Sequence, residues 1–266
     1  MAVFFVFNLT LGSLCLLHLL LYLHYELRVL KHQLRIFAYL QIAGILSSCV
    51  LFFTSTVYHI NGEDDMPYVQ VIWSVANVMS TVQLSAYAVF LYMRSLPIIN
   101  LFNPAYSKVL KASIVVIVSL LLISCTVKVI KNSGLNYAWL TTAGDYGFTV
   151  SGSLILLADI FYLSIYLRSW SQIRMSREFQ IISKFCTLII IFNFCILAFY
   201  IMFLTEVENK VTRETWSLCY TTLAWLVFVL LTIMKIRLEN LNNVTISSLK
   251  KTAQGKSWVE IDQRNL

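Results

Sequence analysis

Seven long apolar segments dominate this sequence of 266 residues. A helix needs roughly 20 consecutive apolar residues to cross the hydrocarbon core of a bilayer. Lipid offers no hydrogen-bond partners, so a single segment that crosses it satisfies its own backbone as a helix. We place the spans at about 3–23, 36–60, 69–93, 109–130, 146–168, 184–204 and 215–236. The sequence therefore predicts an all-α, polytopic membrane protein, folded as a seven-transmembrane-helix bundle.

The composition supports lipid as the solvent of this chain. Of its residues, 59% are hydrophobic and 12% are charged, whereas soluble domains have about 45–50% apolar and about 25% charged residues. A net charge of +7 would favour nucleic acid as a partner of a soluble protein. Here the basic residues lie between the apolar segments, as in membrane proteins. We therefore expect a bilayer and no nucleic acid as partner.

The lysines and arginines predict an orientation. Sixteen of them lie in 24–35, 94–111, 168–184 and 235–266, all on one side of the predicted membrane. The other side has four: Lys128, Lys131, Lys210 and Arg213. Cytoplasmic connections carry the excess of positive charge. We expect the N-terminus outside and the C-terminus in the cytoplasm, with the plasma membrane as the location.

The segments between the spans divide the chain into a bundle (1–236) and a cytoplasmic polar tail (237–266), which is either solvated or docked as a short amphipathic helix. All three prolines fall between predicted helices, so we expect continuous helices; they are Pro67, Pro97 and Pro104. The longest outer connection is predicted from Lys131 to Asp145. Its aromatic residues suit the membrane interface, and a lid over an outer pocket is a second interpretation.

Asp159 is the feature that most directly points to function. It lies near the middle of the fifth span, where an acid costs about 2.5–3.5 kcal/mol by insertion scales. Tyr162 follows at i+3 and shares its helix face, and Asn193 in the adjacent sixth span is a plausible bonding partner. Asp159 is predicted to be a counter-ion for a ligand, a cation or proton site, or a buried switch. The alternative is a structural carboxylic acid bonded to a neighbouring helix.

The third span is the most polar of the seven. Ser74 and Asn77 stand on one face toward its outer end, where they contact a ligand or bond another helix. A second polar face predicts that protein surrounds this helix at the centre of the bundle. Arg94 closes it at the inner surface. This arginine is either a latch that changes partner or a side chain that reaches the headgroups.

The sequence does not indicate an enzyme. The histidines are predicted at different depths, with His18 inside the first span and His59 at the outer surface, so they do not converge on one metal ion. No hydrolase, zinc-protease or phosphate-loop motif occurs. The six cysteines lie within apolar segments without a C-x-x-C pair. Lys128 is close enough to the outer end to reach the surface. We therefore expect no catalysis, no cofactor and no metal.

Residues 1–236 resemble a G-protein-coupled receptor in layout. The shared features are seven helices, an outer N-terminus, basic inner connections and a polar third helix that ends in Leu91-Tyr92-Met93-Arg94. Arg94 matches the arginine of that family's inner third-helix motif, although no acid precedes it, and the seventh span has no proline. The resemblance implies an outward-facing pocket between helices three, five, six and seven, and a cytoplasmic signalling partner.

The leading hypothesis is therefore a divergent heptahelical receptor for an unknown small ligand. Its predicted ligand-binding residues are Asp159, Asn77, Ser74, Tyr162 and Asn193, with Arg94 as a switch. Two alternatives remain open. One is a small seven-helix transporter or channel that uses Asp159 as a cation or proton site, and the other is a membrane scaffold that does not signal.

Overall fold

The computed structural model of this protein describes residues 2–30, 36–61, 67–102, 104–133, 138–170, 177–206 and 209–263. Within these ranges it leaves out the side chains at 29–30, 60–61, 67, 94, 97–98, 101–102, 104–105, 138, 141, 165–170, 177–179 and 242–263. The regular elements are α1 (Ala2–Leu30), α2 (Ile36–Asn61), α3 (Pro67–Phe102), α4 (Pro104–Asn132), α5 (Ala138–Trp170), α6 (Arg177–Thr205) and α7 (Lys210–Gln263). The described part of the chain is all-α, as predicted.

Each helix contains a stretch that is long and apolar enough to cross a membrane. These stretches are Ala2–Arg28, Ile36–His59, Tyr68–Met93, Tyr106–Asn132, Thr142–Ser164, Gln180–Thr205 and Lys210–Leu241. They include the predicted spans, apart from one residue at the end of the second and four at the end of the fifth. The prediction of seven helices that are long and apolar enough to span a membrane is confirmed.

Consecutive helices pack side by side as antiparallel neighbours, and α7 closes the arrangement against α1 and α2. One end of the bundle, here called the N-terminal end, holds the starts of α1, α3, α5 and α7 and the last residues of α2, α4 and α6. The ring stack of Phe4 on His59 lies there, with the ring centroids 5.7 Å apart. The other end, here called the opposite end, holds the bond between Tyr25 and Glu239.

The bundle has an apolar surface, unlike a soluble protein, and its largely hydrophobic interior also holds polar side chains. Leu122 and Ile123 on α4 are 55% and 60% exposed, whereas Gln41 and Asp159 are 1% and 3% exposed. Apolar side chains on the outside match lipid, and polar side chains inside find partners on other helices.

Three predictions about individual helices are wrong. Pro97 falls inside α3, because this helix continues past the predicted span to Phe102; only Pro67 and Pro104 begin helices, where a missing N–H costs nothing. The long outer connection is mostly helix, since α5 already starts at Ala138. Finally, α3 is not surrounded by protein: it packs on α2, α4 and α5 but exposes a stripe of valines, namely Val71, Val78 and Val82.

The last helix extends beyond the bundle. It runs without a break from Lys210 to Gln263, and so through the segment predicted as a polar tail. Its final part is therefore helical along its backbone. The side chains of 242–263 lie outside the described residues.

The packing of α3 leaves room for a cavity. Within the described residues, the backbone of α3 closely approaches α2, α4 and α5 but not α6 or α7. The space between α3 and these two helices is open toward the N-terminal end of the bundle. Side chains close this space near the middle of the bundle. The candidate site consists of the space and the side chains that close it.

Candidate ligand cavity and its floor

Three side chains from three helices meet below this cavity, and we call them the junction: Tyr87 on α3, Asp159 on α5 and Asn193 on α6. The Tyr87 hydroxyl donates a hydrogen bond of 2.5 Å to Oδ2 of Asp159. The Asn193 amide donates to the same oxygen at 2.5 Å and to the Tyr87 hydroxyl at 2.9 Å. The junction is a closed triangle of bonds in which a buried acid receives two donors.

The predicted contact between Asp159 and Asn193 is therefore present. Tyr87 was missed as the third member, although it shares a helix face with Gln83, which is also buried and donates to Ser48 on α2 at 2.7 Å. The signal that was available is this shared face, because Gln83 and Tyr87 stand at i and i+4 of one helix.

The cavity has a volume of about 610 Å³ and is lined by residues of α2 to α7. On α3 its lining extends from Val69 to Leu84, and on α5 from Asp145 to Ile155. At 1.5 Å per residue, these stretches correspond to about 15–22 Å along the bundle axis. The cavity therefore reaches from the N-terminal end to about half the thickness of a bilayer core.

The two sides of the cavity wall differ in polarity. On one side α3 presents amide and hydroxyl groups, which are Asn77, Ser80 and Gln83. On the other side α5 and α6 present apolar groups, which are Phe148, Ile155, Ile196, Leu197 and Leu204. Asn193 lies at the deep end. Such a cavity, mostly apolar with a few placed polar groups, has the size and lining typical of small-molecule sites.

The mouth of the cavity is charged. Four basic residues line it, and we call them the basic mouth: Lys128, Lys131, Lys210 and Arg213. The described lining residues include two acids, Asp145 and Glu214. Asp145 pairs with Lys128 at 2.7 Å, and Glu214 lies 3.6 Å from His59.

Lys128 corrects a prediction, since we expected its ammonium group to reach the membrane surface. Its side chain is only 15% exposed, and its Nζ contacts the hydroxyl of Tyr200 at 3.2 Å. It also lies 4.4 Å from the ring centroid of Phe148. The reason is its partner: Asp145 stands at the same depth on the next helix, so the ammonium turns inward to pair with it.

Only two of the six predicted site residues line the cavity, Asn77 and Asn193. Asp159 and Tyr162 are buried one layer deeper, with 3% and 1% exposure, and neither is among the lining residues. Ser74 faces α4, where its hydroxyl accepts a bond of 3.3 Å from Asn132. The side chain of the predicted switch, Arg94, lies outside the described residues.

A second polar network joins α1, α2 and α7, away from the cavity. Nε2 of His18 lies 3.0 Å from the Thr232 hydroxyl, and Gln41 donates to this hydroxyl at 2.6 Å. Trp225 donates to Nδ1 of His18 at 3.3 Å. Because Nδ1 accepts, the proton lies on Nε2, and His18 is a neutral donor to Thr232. His18 is thus bonded to its neighbours on α7.

A charged cluster lies at the opposite end of the same interface. Lys235 on α7 pairs with Glu26 on α1, and its Nζ also contacts the Tyr22 hydroxyl at 3.2 Å. Glu26 is 1% exposed. Sequence reasoning missed this pair because it ended the first span before Glu26, whereas α1 continues to Leu30.

The groups around the cavity are suited to binding. The described residues contain no group of three or more His, Cys, Asp or Glu side chains that could hold a metal ion. The junction has a carboxyl, an amide and a phenol that hold one another in place, and the basic mouth supplies charge. In comparison with known proteins, neither a family model nor a curated protein matches this chain.

Proposed function

We propose that this chain is a receptor-like seven-helix membrane protein that senses a small ligand in the cavity and signals to the other side of the membrane. The observation that carries the proposal is the position of Asn193. It lines the cavity and also bonds Asp159 and Tyr87. A ligand that contacts Asn193 therefore acts on a point where buried hydrogen bonds join α3, α5 and α6.

The orientation of the proposed receptor follows from the basic residues. The sequence assigns sixteen lysines and arginines to the side of the opposite end and four to the side of the N-terminal end, and we take the more basic side as cytoplasmic. The cavity then opens to the outside of the cell, which is where a receptor in the plasma membrane meets its ligand. The cytoplasmic partner would bind the opposite end of the bundle and the extension of α7.

The junction is strong enough to bias two arrangements of the helices. Hydrogen bonds between membrane helices average about 0.6 kcal/mol, so three of them contribute about 2 kcal/mol. That energy shifts a two-state equilibrium by roughly thirtyfold. A ligand produces a signal only if it prefers one arrangement, because equal affinity for both shifts nothing.

A small transporter is the second candidate, with Asp159 as its cation or proton site. Its support is that Asp159 lies directly beyond Asn193 at the cavity floor, so a movement of Asn193 would expose the acid. Against a resting cation site, Oδ2 of Asp159 already receives two hydrogen bonds. A scaffold without a ligand would need neither the cavity nor its charged mouth.

Distance measurements across the opposite end test the receptor proposal without a known ligand. Lys108 on α4 and Lys184 on α6 are exposed there, and spin labels at these two positions report the spacing of the helices. We expect Tyr87→Phe and Asn193→Leu to shift or broaden the distance distribution. Leu157→Ala, a change at a side chain that is 61% exposed on the outside of α5, is the control and should leave it unchanged.

The outcomes separate the candidates. Identical distributions in both junction variants and the control would overturn the receptor proposal. In the same preparations, proton flux into sealed vesicles is measured with a pH-sensitive dye. If the natural protein shows proton flux and Asp159→Asn abolishes it, the transporter would replace the receptor as the proposed function. Absence of flux together with shifted distances supports the receptor.

A further inference from the structure

The floor of the cavity holds two side-chain amides whose nitrogen atoms are already bonded to the protein. They are Gln83 on α3 and Asn193 on α6, and both line the cavity. Gln83 donates from Nε2 to the Ser48 hydroxyl at 2.7 Å. Asn193 donates from Nδ2 to Tyr87 and Asp159. Each amide therefore has its carbonyl oxygen left for a molecule in the cavity.

The surrounding bonds fix the orientation of both amides. The Ser48 hydroxyl gives its hydrogen to a backbone carbonyl of its own helix at 3.0 Å, so its oxygen accepts and Gln83 must present the amide nitrogen. The Tyr87 hydroxyl gives its hydrogen to Asp159, so Asn193 must present its nitrogen too. No donor among the described residues bonds either carbonyl oxygen. Both oxygens are anchored acceptors that cannot turn away to suit a ligand.

The two carbonyl groups lie at similar depth, on different helices. Gln83 is one helical turn, about 6 Å, nearer to the N-terminal end than Tyr87, whose hydroxyl lies 2.9 Å from Asn193. Nearer to the mouth, Ser80 and Asn77 continue the polar wall of α3. A hydroxyl and an amide without an anchor can each donate and accept. Selection for one kind of polar group therefore depends on the two anchored carbonyls.

The chemistry of this floor excludes several kinds of occupant. A hydrocarbon would remove water from both carbonyls without replacing its hydrogen bonds, which is unfavourable. An ether would place its own lone pairs against theirs, and so would an anion. A cation would be buried without a counter-ion, because the described acids of the lining, Asp145 and Glu214, stand near the starts of α5 and α7 at the mouth. A neutral O–H or N–H group satisfies the floor.

We infer that the ligand is an uncharged molecule with an apolar body, which donates hydrogen bonds from a hydroxyl or an amide N–H to the carbonyl oxygens of Gln83 and Asn193. Its body lies along the apolar α5–α6 wall, against Phe148, Ile155 and Ile196. Because this names the ligand class of the same cavity, it rests on the proposed function. A bond to the Asn193 carbonyl polarises the amide that donates within the junction, which links occupancy of the floor to α3 and α5.

Fluorine NMR on the full-length protein tests the inference. The protein is placed in phosphatidylcholine nanodiscs, and the probe is octanol with a terminal trifluoromethyl group. Empty nanodiscs give the signal of the lipid-dissolved probe and the correction for partition into lipid. Unlabelled octanol, octanamide, octyl methyl ether, octylamine and octanoate compete for the bound signal, so that similar chains differ in their polar end. We expect octanol and octanamide to compete about tenfold better than the other three, the effect of one buried hydrogen bond.

Matched variants assign this preference to the floor. Gln83→Met removes the carbonyl at similar volume and should weaken octanol and octanamide about fivefold, while unchanged ether binding shows that the cavity is intact. Gln70→Met, at the mouth on the same helix and about 20 Å away, is the control and should change neither. Ser48→Ala releases the Gln83 amide and should narrow the preference for octanol over the ether. Gly152→Phe should block every compound, since Gly152 lines the cavity and a Cβ there first meets Leu197 at 3.6 Å.

The results decide between ligand classes. Octylamine or octanoate that competes better than octanol would overturn the inference in favour of a charged ligand. The octylamine arm also covers the acids at 63–65 and 208, which lie outside the described residues. An ether that competes as well as octanol, equal effects of Gln83→Met and Gln70→Met, or the absence of any bound signal would overturn it as well. The receptor proposal is tested separately by the spin-label distances, which involve none of these compounds.

Discussion

A carboxyl group in the middle of a membrane bundle is stable only if other groups replace water around it. Here Tyr87 and Asn193 do so, from the two helices that flank Asp159 on the inner side of α5. The two donors also bond each other, so none of the three side chains moves without affecting the other two. This mutual dependence is what distinguishes a junction from three separate contacts.

A double-mutant cycle measures that dependence. Tyr87→Phe and Asn193→Ala each remove a donor to Asp159, and each should lower the free energy of unfolding by about 1–3 kcal/mol. Together they should lose less than the sum, with a coupling energy of about 0.5–2 kcal/mol. The measurement is reversible unfolding in mixed micelles. Tyr39→Phe, at a side chain that is 57% exposed, is the control, and strictly additive effects would contradict the closed triangle.

The sequence predicted how deep a side chain lies in the membrane far better than it predicted the direction in which the side chain points. Asp159 and Asn193 were found because each is conspicuous in an apolar segment, and adjacent helices of similar length bring equal depths together. Tyr87 was missed because a tyrosine in such a segment is common as a packing residue, and only the turn of α3 aims its hydroxyl at Asp159. Lys128 was misjudged for the same reason, because depth alone allows both the surface and the cavity.

Close helix contacts in this bundle depend on small residues, and the α4–α5 pair is the clearest case. A Cβ on Gly147 would lie 1.9 Å from Oγ and 3.0 Å from Cβ of Ser124, so the two backbones approach where neither residue has bulk. Ser151, one turn later on α5, is fully buried. Small residues four apart are a usual device for close packing of membrane helices.

Two alanine substitutions on the same helix test this contact. Gly147→Ala should lower the free energy of unfolding by about 1–3 kcal/mol, because Ser124 or a whole helix must move. Gly152→Ala, five residues further, has room for its methyl group and should be neutral or stabilising by up to about 1 kcal/mol through helix propensity. Thermal unfolding of both variants gives the comparison. Equal losses in both variants would show that the close contact with Ser124 is not what makes Gly147 necessary.

The extents of the helices were predicted less well than their number, for an identifiable reason. Hydropathy marks where lipid contact ends, but a helix continues for as long as its backbone finds partners. Thus α3 passes through Pro97 to Phe102, and α1 continues to Leu30 and carries Glu26 to its ion pair with Lys235. Charges that seem to belong to connections can therefore lie inside the packed bundle.

The orientation of the whole molecule decides what the cavity can sense. If the end with sixteen lysines and arginines is cytoplasmic, the cavity and its basic mouth face outward, and a ligand arrives from outside the cell. If the bundle is inverted, the same cavity faces the cytoplasm. The proposed direction of signalling would then be reversed, although the geometry of the junction would stay the same.

Identical glycosylation cassettes at the two termini test the orientation. Each carries one Asn-x-Thr site on a polar spacer, which keeps the site away from the membrane, and the fusions are expressed in mammalian cells. We expect a glycan on the N-terminal cassette and none on the C-terminal cassette, seen as a mobility shift that glycosidase removes. The natural sequence Asn243-Val244-Thr245 should stay unmodified, since it follows the seventh span. A glycan on the C-terminal cassette would show that the molecule has the inverted orientation. That result would overturn the proposal of an outward-facing receptor.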